Sequence, residues 1–167
     1  LAGIDSGRRA RSAMPLTDVI RTAISEVEHY ERVKLDTGMN PLVVAHLTLP
    51  AAHLVAELIE NATNFSEPTT PVVVSTHGSP HGVQISVLDK GLGLSPEDLA
   101  AANQRLADVD SSVLVPVNTS GVQRLGLYVV ARLAARLGAR VWLQNAPGGG
   151  TVAIVELPGV VFVEGSS

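Results

Sequence analysis

Glu57-Leu58-Ile59-Glu60-Asn61-Ala62, Asp89-Lys90-Gly91-Leu92-Gly93 and Arg124-Leu125-Gly126-Leu127 decide how this chain is read, and only as an ordered set. The first puts two polar groups, Glu57 and Asn61, one helical turn apart on an otherwise apolar helix. The second is an acid followed by a glycine turn at the end of an alternating strand. The third opens a long amphipathic helix behind Ser120-Gly121. Any one of them alone occurs often by chance.

The surrounding sequence supplies the elements. Residues 1–14 are polar and aperiodic and read as a loose leading segment. Val19, Ala23 and Val27 recur at four-residue spacing behind Pro15, which predicts a helix to about Tyr30. Residues 31–36 and 42–47 read as strands around the turn Thr37-Gly38-Met39-Asn40-Pro41. Pro50 opens the next helix, which runs to about Asn64 with Leu54, Leu58 and Ala62 as its apolar line. Residues 72–76 and 83–88 read as a hairpin. Ser95-Pro96-Glu97-Asp98 is an N-cap, a first-turn proline and two acids, starting a short helix to about Leu106. Residues 108–121 have no period, and a connection of that length is usually functional. The helix over 124–137 aligns Leu125, Val129, Leu133 and Leu137 and stops at Gly138. Strands at 141–144 and 151–157 flank Pro147-Gly148-Gly149-Gly150. Residues 160–163 could add an edge strand or belong to a neighbouring segment. A mostly antiparallel sheet with helices on one face accommodates this order.

Composition narrows the function. The 167 residues suffice for one domain with a core. Aromatics are 3%, so Val, Leu, Ile and Ala must build that core. A net charge of -4 without a basic block argues against nucleic acid. The absence of cysteine excludes disulfides and thiol chemistry. No apolar run is long enough to span a bilayer. The chain starts at Leu1 rather than Met, which reads as a piece of a longer protein.

The candidate residues have both plain and chemical readings. Glu57, Asn61 and Asn64, with His53 a turn earlier, share one helix face opposite Leu54, Leu58 and Ala62. That face is either solvated, or it offers Asn61 to Mg²⁺ and the Glu57 carboxylate to a nucleophile. Asp89 continues the face of Val83, Ile85 and Val87. It is either a surface turn residue, or a buried acid that needs a donor such as an adenine amino group. Gly91 and Gly93 would then let backbone approach a ring. Gly126 either permits tight helix packing or belongs to a phosphate-binding helix start with Gly121, Gln123 and Arg124.

Taken together, these motifs resemble the Bergerat-fold ATP-binding domain shared by sensor histidine kinases, DNA gyrase, heat-shock chaperones and mismatch-repair ATPases. Residues 57–62 look like its N box, 89–93 its first glycine box, 121–127 its second and 148–151 a final glycine turn. Residues 56–66 and 124–134 look most like actinobacterial kinases of the nitrate/nitrite-sensor type. The resemblance implies an α+β two-layer sandwich: a mixed, mostly antiparallel sheet with three main helices on one face. It implies an ATP-binding catalytic domain over 15–157, a lid over about 107–123 and a tail over 158–167. Asn61 would coordinate Mg²⁺, Asp89 would hold adenine, and Glu57 would be the catalytic carboxylate. Asn64, Gly91, Gly93, Gly121, Arg124, Leu125, Gly126 and Thr151 would complete the ATP site. The γ-phosphate would pass to a histidine on an upstream helical dimerisation domain, then to a response regulator. The domain would be cytoplasmic and its parent a membrane-anchored homodimer.

The chain departs from the pattern in four places. Glu57 stands where many such kinases have Asn. Thr63 and Asn64 replace a basic residue, Arg124 replaces a common Gly, and the lid has no Phe. No histidine is followed by an acid, so the phosphoacceptor is expected upstream. A serine kinase of the anti-sigma-factor type, with Glu in its N box, and a catalytically degenerate nucleotide-binding interaction module are the alternatives.

Overall fold

The computed structural model describes residues 12–107 and 121–165, excepting the side chains of Phe65 and of residues 121–125. Among these, seven strands and four α-helices follow in the order β1 (Met14–Pro15), α1 (Leu16–Ser25), β2 (Val33–Asp36), β3 (Leu42–Val43), α2 (Thr48–Phe65), β4 (Val72–Ser79), β5 (Gly82–Leu88), α3 (Pro96–Ala107), α4 (Gly121–Leu137), β6 (Arg140–Asn145) and β7 (Thr151–Pro158).

The main sheet has the order β2-β4-β5-β7-β6. Every pair is antiparallel except β2 with β4, where Val33 lies opposite Val72 in a parallel ladder. Alternation decides which face is covered. Val72 and Val74, Val83, Ile85 and Val87, then Ala153, Val155 and Leu157 are all buried beneath the helices. Helix α2 supplies the largest share of the opposing layer, with Leu54, Val55, Leu58 and Ile59 at most 2% exposed. Each such side chain contributes roughly 1.5–3 kcal/mol by burial. The result is the expected two-layer α+β sandwich, with four helices rather than three, since α1 packs on α2 as a full element.

Some expected boundaries move. Helix α1 ends at Ser25, not near Tyr30. Val27 keeps the helical spacing because it is buried in the core after the backbone has left the helix. The expected strand over 42–47 is two residues long and gives way to a 3-10 turn at Ala45–Leu47. Pro50 lies in the first turn of α2, which starts at Thr48, where a missing N–H costs nothing. The hairpin strands are longer than expected, and His77 lies within β4. Ser95 does cap α3, its Oγ accepting the Asp98 N–H at 3.1 Å. Gly138, at φ 67°, ends α4 in the left-handed conformation that a side chain would resist.

The tail does not join the main sheet. Phe162 bridges Val43, and Val163 donates its N–H to Leu42 O at 2.8 Å. β3 is thus flanked by β1 on one side and the tail on the other.

Arg32 fixes the end of α2 from outside. Its guanidinium donates to Thr63 O and Thr70 O at 3.0 Å, to Glu67 O at 2.7 Å and to Ser66 Oγ at 2.5 Å. The cation thus satisfies one last-turn carbonyl, Thr63 O, that the helix itself cannot pair, and ties the loop after the helix to it. The expected leading segment lies outside the described residues up to residue 11, and the expected lid does so over 108–120.

Candidate functional site

A cavity of about 280 Å³ opens between α2 and the end of β5. Leu58 and Ala62 of α2, Val87 of β5, Leu127 of α4, Leu143 of β6 and Ala153 of β7 make its apolar walls. Its polar groups are Asn61, Asp89, Asp98 and Thr151. The expected opposition between Asn61 and the Leu58/Ala62 line does not hold, because all three face this cavity. Leu92 is 100% exposed on the rim, an apolar lip with nothing yet against it among the described residues.

Asp89 directly follows β5 and is buried at 7% exposure. Its N–H continues the ladder to Thr151 O at 2.9 Å. Its Oδ1 accepts the Gly91 N–H at 2.8 Å and the Thr151 N–H at 3.4 Å. Burial raises its pKa above the ordinary aspartate value, and the two backbone donors oppose that rise. Gly150, at φ 85°, lets the turn before β7 close over Asp89, where a Cβ would lie 2.0 Å from Asp89 O. The turn is held by Ala146 N–H on Gly150 O and Gly149 N–H on Ala146 O, both 3.0 Å.

Asn61 and Gly126 explain one another. A Cβ on residue 126 would stand 2.7 Å from Asn61 Oδ1 and 3.1 Å from its Nδ2. The glycine therefore does permit close helix packing, and what it packs against is the carboxamide on the cavity wall.

Glu57 lies one turn before Asn61 and is not part of the cavity wall. Its side chain is 25% exposed, and its Oε1 is 3.5 Å from His53 Nε2. Desolvation raises its pKa first and Glu60 adds to that, while His53 lowers it. Asn64 is exposed, one turn past the wall residues. Of the other expected site residues, Gly93 and Thr151 line the cavity and Gly91 braces Asp89. The backbone of Gly121, Arg124 and Leu125 forms the start of α4, and their side chains lie outside what is described.

Four residues escaped the sequence reading. Asp98, which the N-cap motif explains only as a first-turn acid of α3, is a second carboxylate in the cavity. Leu92 looks like a spacer between two glycines. Asn103 and Asn145 read as ordinary polar positions, yet each grips a backbone segment of the wall. Asn103 Nδ2 donates to Leu143 O at 3.0 Å, and its Oδ1 accepts Leu143 N–H at 2.7 Å. Asn145 Nδ2 donates to Leu94 O at 2.8 Å, and its Oδ1 accepts Leu94 N–H at 2.9 Å.

Residues 47–160 match the family described as histidine kinase-, DNA gyrase B-, and HSP90-like ATPase. The sensor-like histidine kinase SenX3 of Mycobacterium tuberculosis is 29% identical over 129 residues, which is 77% of this chain and 30% of that protein. The chain spans less than a third of the length of the curated relatives it matches. Among solved structures, the catalytic domain of histidine kinase ThkA superposes with a TM-score of 0.68 at 17% identity, covering 89% of this chain and 95% of that one. The ATP binding domain of PrrB from Mycobacterium tuberculosis gives a TM-score of 0.59 at 23% identity, covering 89% and 98%. At those identities the likeness carries the fold.

Proposed function

The chain belongs to the histidine kinase-, DNA gyrase B- and HSP90-like ATPase family, and from that premise we propose that it is the ATP-binding catalytic domain of a sensor histidine kinase. The observation that carries the reading is the joint geometry of Asn61, Gly126 and Asp89 around one half-apolar cavity. The apolar walls suit a purine ring, and a buried carboxylate at the strand end suits its amino group. The space that Gly126 leaves at Asn61 keeps a carboxamide oxygen available on the wall.

That donor set fits Mg²⁺, which takes few protein oxygens and completes its shell with water and phosphate. Among the described residues no group of three His, Cys, Asp or Glu forms a cage, and this mode of binding needs none. When bound, Mg²⁺ supplies neutralisation of phosphate charge. Asn61 would hold it. Asp89 would orient the base, with Gly91 and Gly93 bringing backbone close to the ring. Gly121, Arg124 and Leu125 at the start of α4, with Asn64 and Thr151, complete the proposed nucleotide site, and residues 107–123 form the proposed lid. Glu57, kept basic by its raised pKa, would orient or deprotonate the attacking group.

The phosphoryl group would pass to a histidine on an upstream dimerisation domain and then to a response regulator. SenX3 is a sensor-like histidine kinase, which favours this over a serine kinase or an inactive module. Among the described residues no helix is long and apolar enough to cross a membrane. We place the domain in the cytoplasm, with a homodimeric, membrane-anchored parent.

Calorimetric titration with ADP and ATP, with and without Mg²⁺ and with GTP as control, tests the reading. Adenine-selective, magnesium-assisted binding is the expected result. No binding, or equal binding of GTP, would refute it.

A further inference from the structure

Asn145 is the last residue of β6 and pairs with Thr151 in the ladder to β7. Thr151 is on the cavity wall and carries the backbone partner of Asp89. From this position the Asn145 carboxamide reaches the neighbouring glycine turn. It closes a reciprocal pair of hydrogen bonds with the Leu94 backbone, at 2.9 and 2.8 Å. Leu94 and Gly93 both line the cavity.

Two further observations single this contact out. Between Gly91, which is held by Asp89, and Ser95, which caps α3, these two bonds are the hydrogen bonds described for the backbone. Gly93 is also fitted to the carboxamide. At φ 83° it takes the left-handed conformation, and a Cβ there would meet Asn145 Oδ1 at 3.1 Å and Gly150 O at 3.4 Å. One side chain thus joins the glycine turn to the end of the β6–β7 ladder, two segments that both contribute to the cavity wall.

We propose that Asn145 is a positioning residue of the nucleotide pocket, setting the height of the Gly93–Leu94 backbone over the site where the base would lie. It rests on the nucleotide-binding reading above. A carboxamide suits the task because it supplies one donor and one acceptor in a plane, matching the N–H and C=O of a single residue. An edge segment that lacks a ladder partner gains one from a side chain.

The test is the ADP affinity of the chain and of Asn145→Ala, with thermal unfolding and amide hydrogen exchange at Leu94. Asn145→Asp is the second variant, which keeps the volume and the acceptor and removes the donor. Asn40→Ala is the control. Asn40 Oδ1 accepts two hydrogen bonds from Thr17 at the start of α1, and neither residue lines the cavity. Loss of two net hydrogen bonds predicts an ADP affinity about tenfold weaker in Asn145→Ala, with faster exchange at Leu94. Asn40→Ala should lower the melting temperature comparably and leave ADP affinity within twofold.

Wild-type ADP binding with an unchanged affinity in both Asn145 variants would overturn the positioning role. Equal loss of affinity in Asn40→Ala would also overturn it, by reducing the effect to general destabilisation. A wild-type chain that binds no ADP would overturn the nucleotide reading and this proposal with it, an outcome distinct from the other two.

Discussion

Gly126→Ala separates packing from function at the centre of the site. The added Cβ would lie 2.7 Å from Asn61 Oδ1. An ordinary carbon–oxygen contact is about 3.3 Å, so the carboxamide or the helix must move by about 0.6 Å. Two stability effects oppose each other. Alanine favours a helix interior over glycine by about 1 kcal/mol, and overpacking costs about 1–3 kcal/mol. The net loss is about 0–2 kcal/mol, a melting shift of at most about 8 °C, so the variant folds. A displacement of 0.6 Å nevertheless exceeds the roughly 0.5 Å tolerance of a binding constellation, and Mg²⁺ requires near-ideal octahedral ligation. The expected outcome is calorimetric ATP binding that no longer responds to Mg²⁺, matching Asn61→Ala. A folded Gly126→Ala with wild-type affinity and wild-type magnesium response would refute the assignment of Asn61 and leave Gly126 as a packing residue.

The other predictions concern Asp89, Glu57 and Arg32. Asp89→Asn should weaken ADP binding by about 10–100-fold, since an amide nitrogen would face the adenine amino group; unchanged affinity by titration would remove the adenine role. Asp89 and Glu57 both have raised pKa values in the folded state. Their contribution to stability is therefore fully present below the ordinary carboxylate pKa and is lost as pH rises through the folded value. Asp89→Asn and Glu57→Gln should each flatten the fall of stability with rising pH, and a pH series of denaturant melts that steepens instead would contradict the sign. On the proposed function, Glu57→Gln should also keep nucleotide binding and abolish phosphoryl transfer in the full-length protein, and full activity there would make Glu57 structural. Arg32→Ala removes four hydrogen bonds to the last turn of α2 and the loop after it and should cost about 2–3 kcal/mol, a melting decrease of about 4–12 °C; a shift under about 1 °C would argue against the cap.

Local chemistry was legible in the sequence and long-range pairing was not. Ser95 and Gly138 act within a few residues of themselves, so their types announced the start of α3 and the end of α4. The face shared by Val83, Ile85, Val87 and Asp89 followed from the strand period alone, and all four are buried. The parallel pairing of β2 with β4 had no local mark, because its ladder joins residues 39 apart in sequence at Val33 and Val72. Spacing overextends helix α1 because a buried Val27 imitates one more turn. Asn103 and Asn145 were missed for a related reason. Their partners, Leu143 and Leu94, are 40 and 51 residues away, and an asparagine near a Pro-Gly turn is already accounted for as a turn residue. Gly126 has two readings in sequence, tight packing or a phosphate-binding helix start, and the partner it packs against, Asn61, comes from another helix and carries no local mark.

β3, with β1 on one side and Phe162 on the other, has a mechanical consequence. Two strand spacings put Met14 and Phe162 about 10 Å apart, so the chain arrives and departs at one corner. That corner adjoins the Gly82 end of β5, where Gly159 N–H meets His81 O. The cavity lies at the Asp89 end of β5, about 20 Å away by the rise of a seven-residue strand. A pull on the leading segment would shear a two-residue ladder before it loaded the main sheet, which makes this corner a weak link in series with the site. Tethering residues 14 and 162 to each other and reopening the chain at the Pro80-His81 turn would leave the β4–β5 ladder as its two strands and every cavity wall in place.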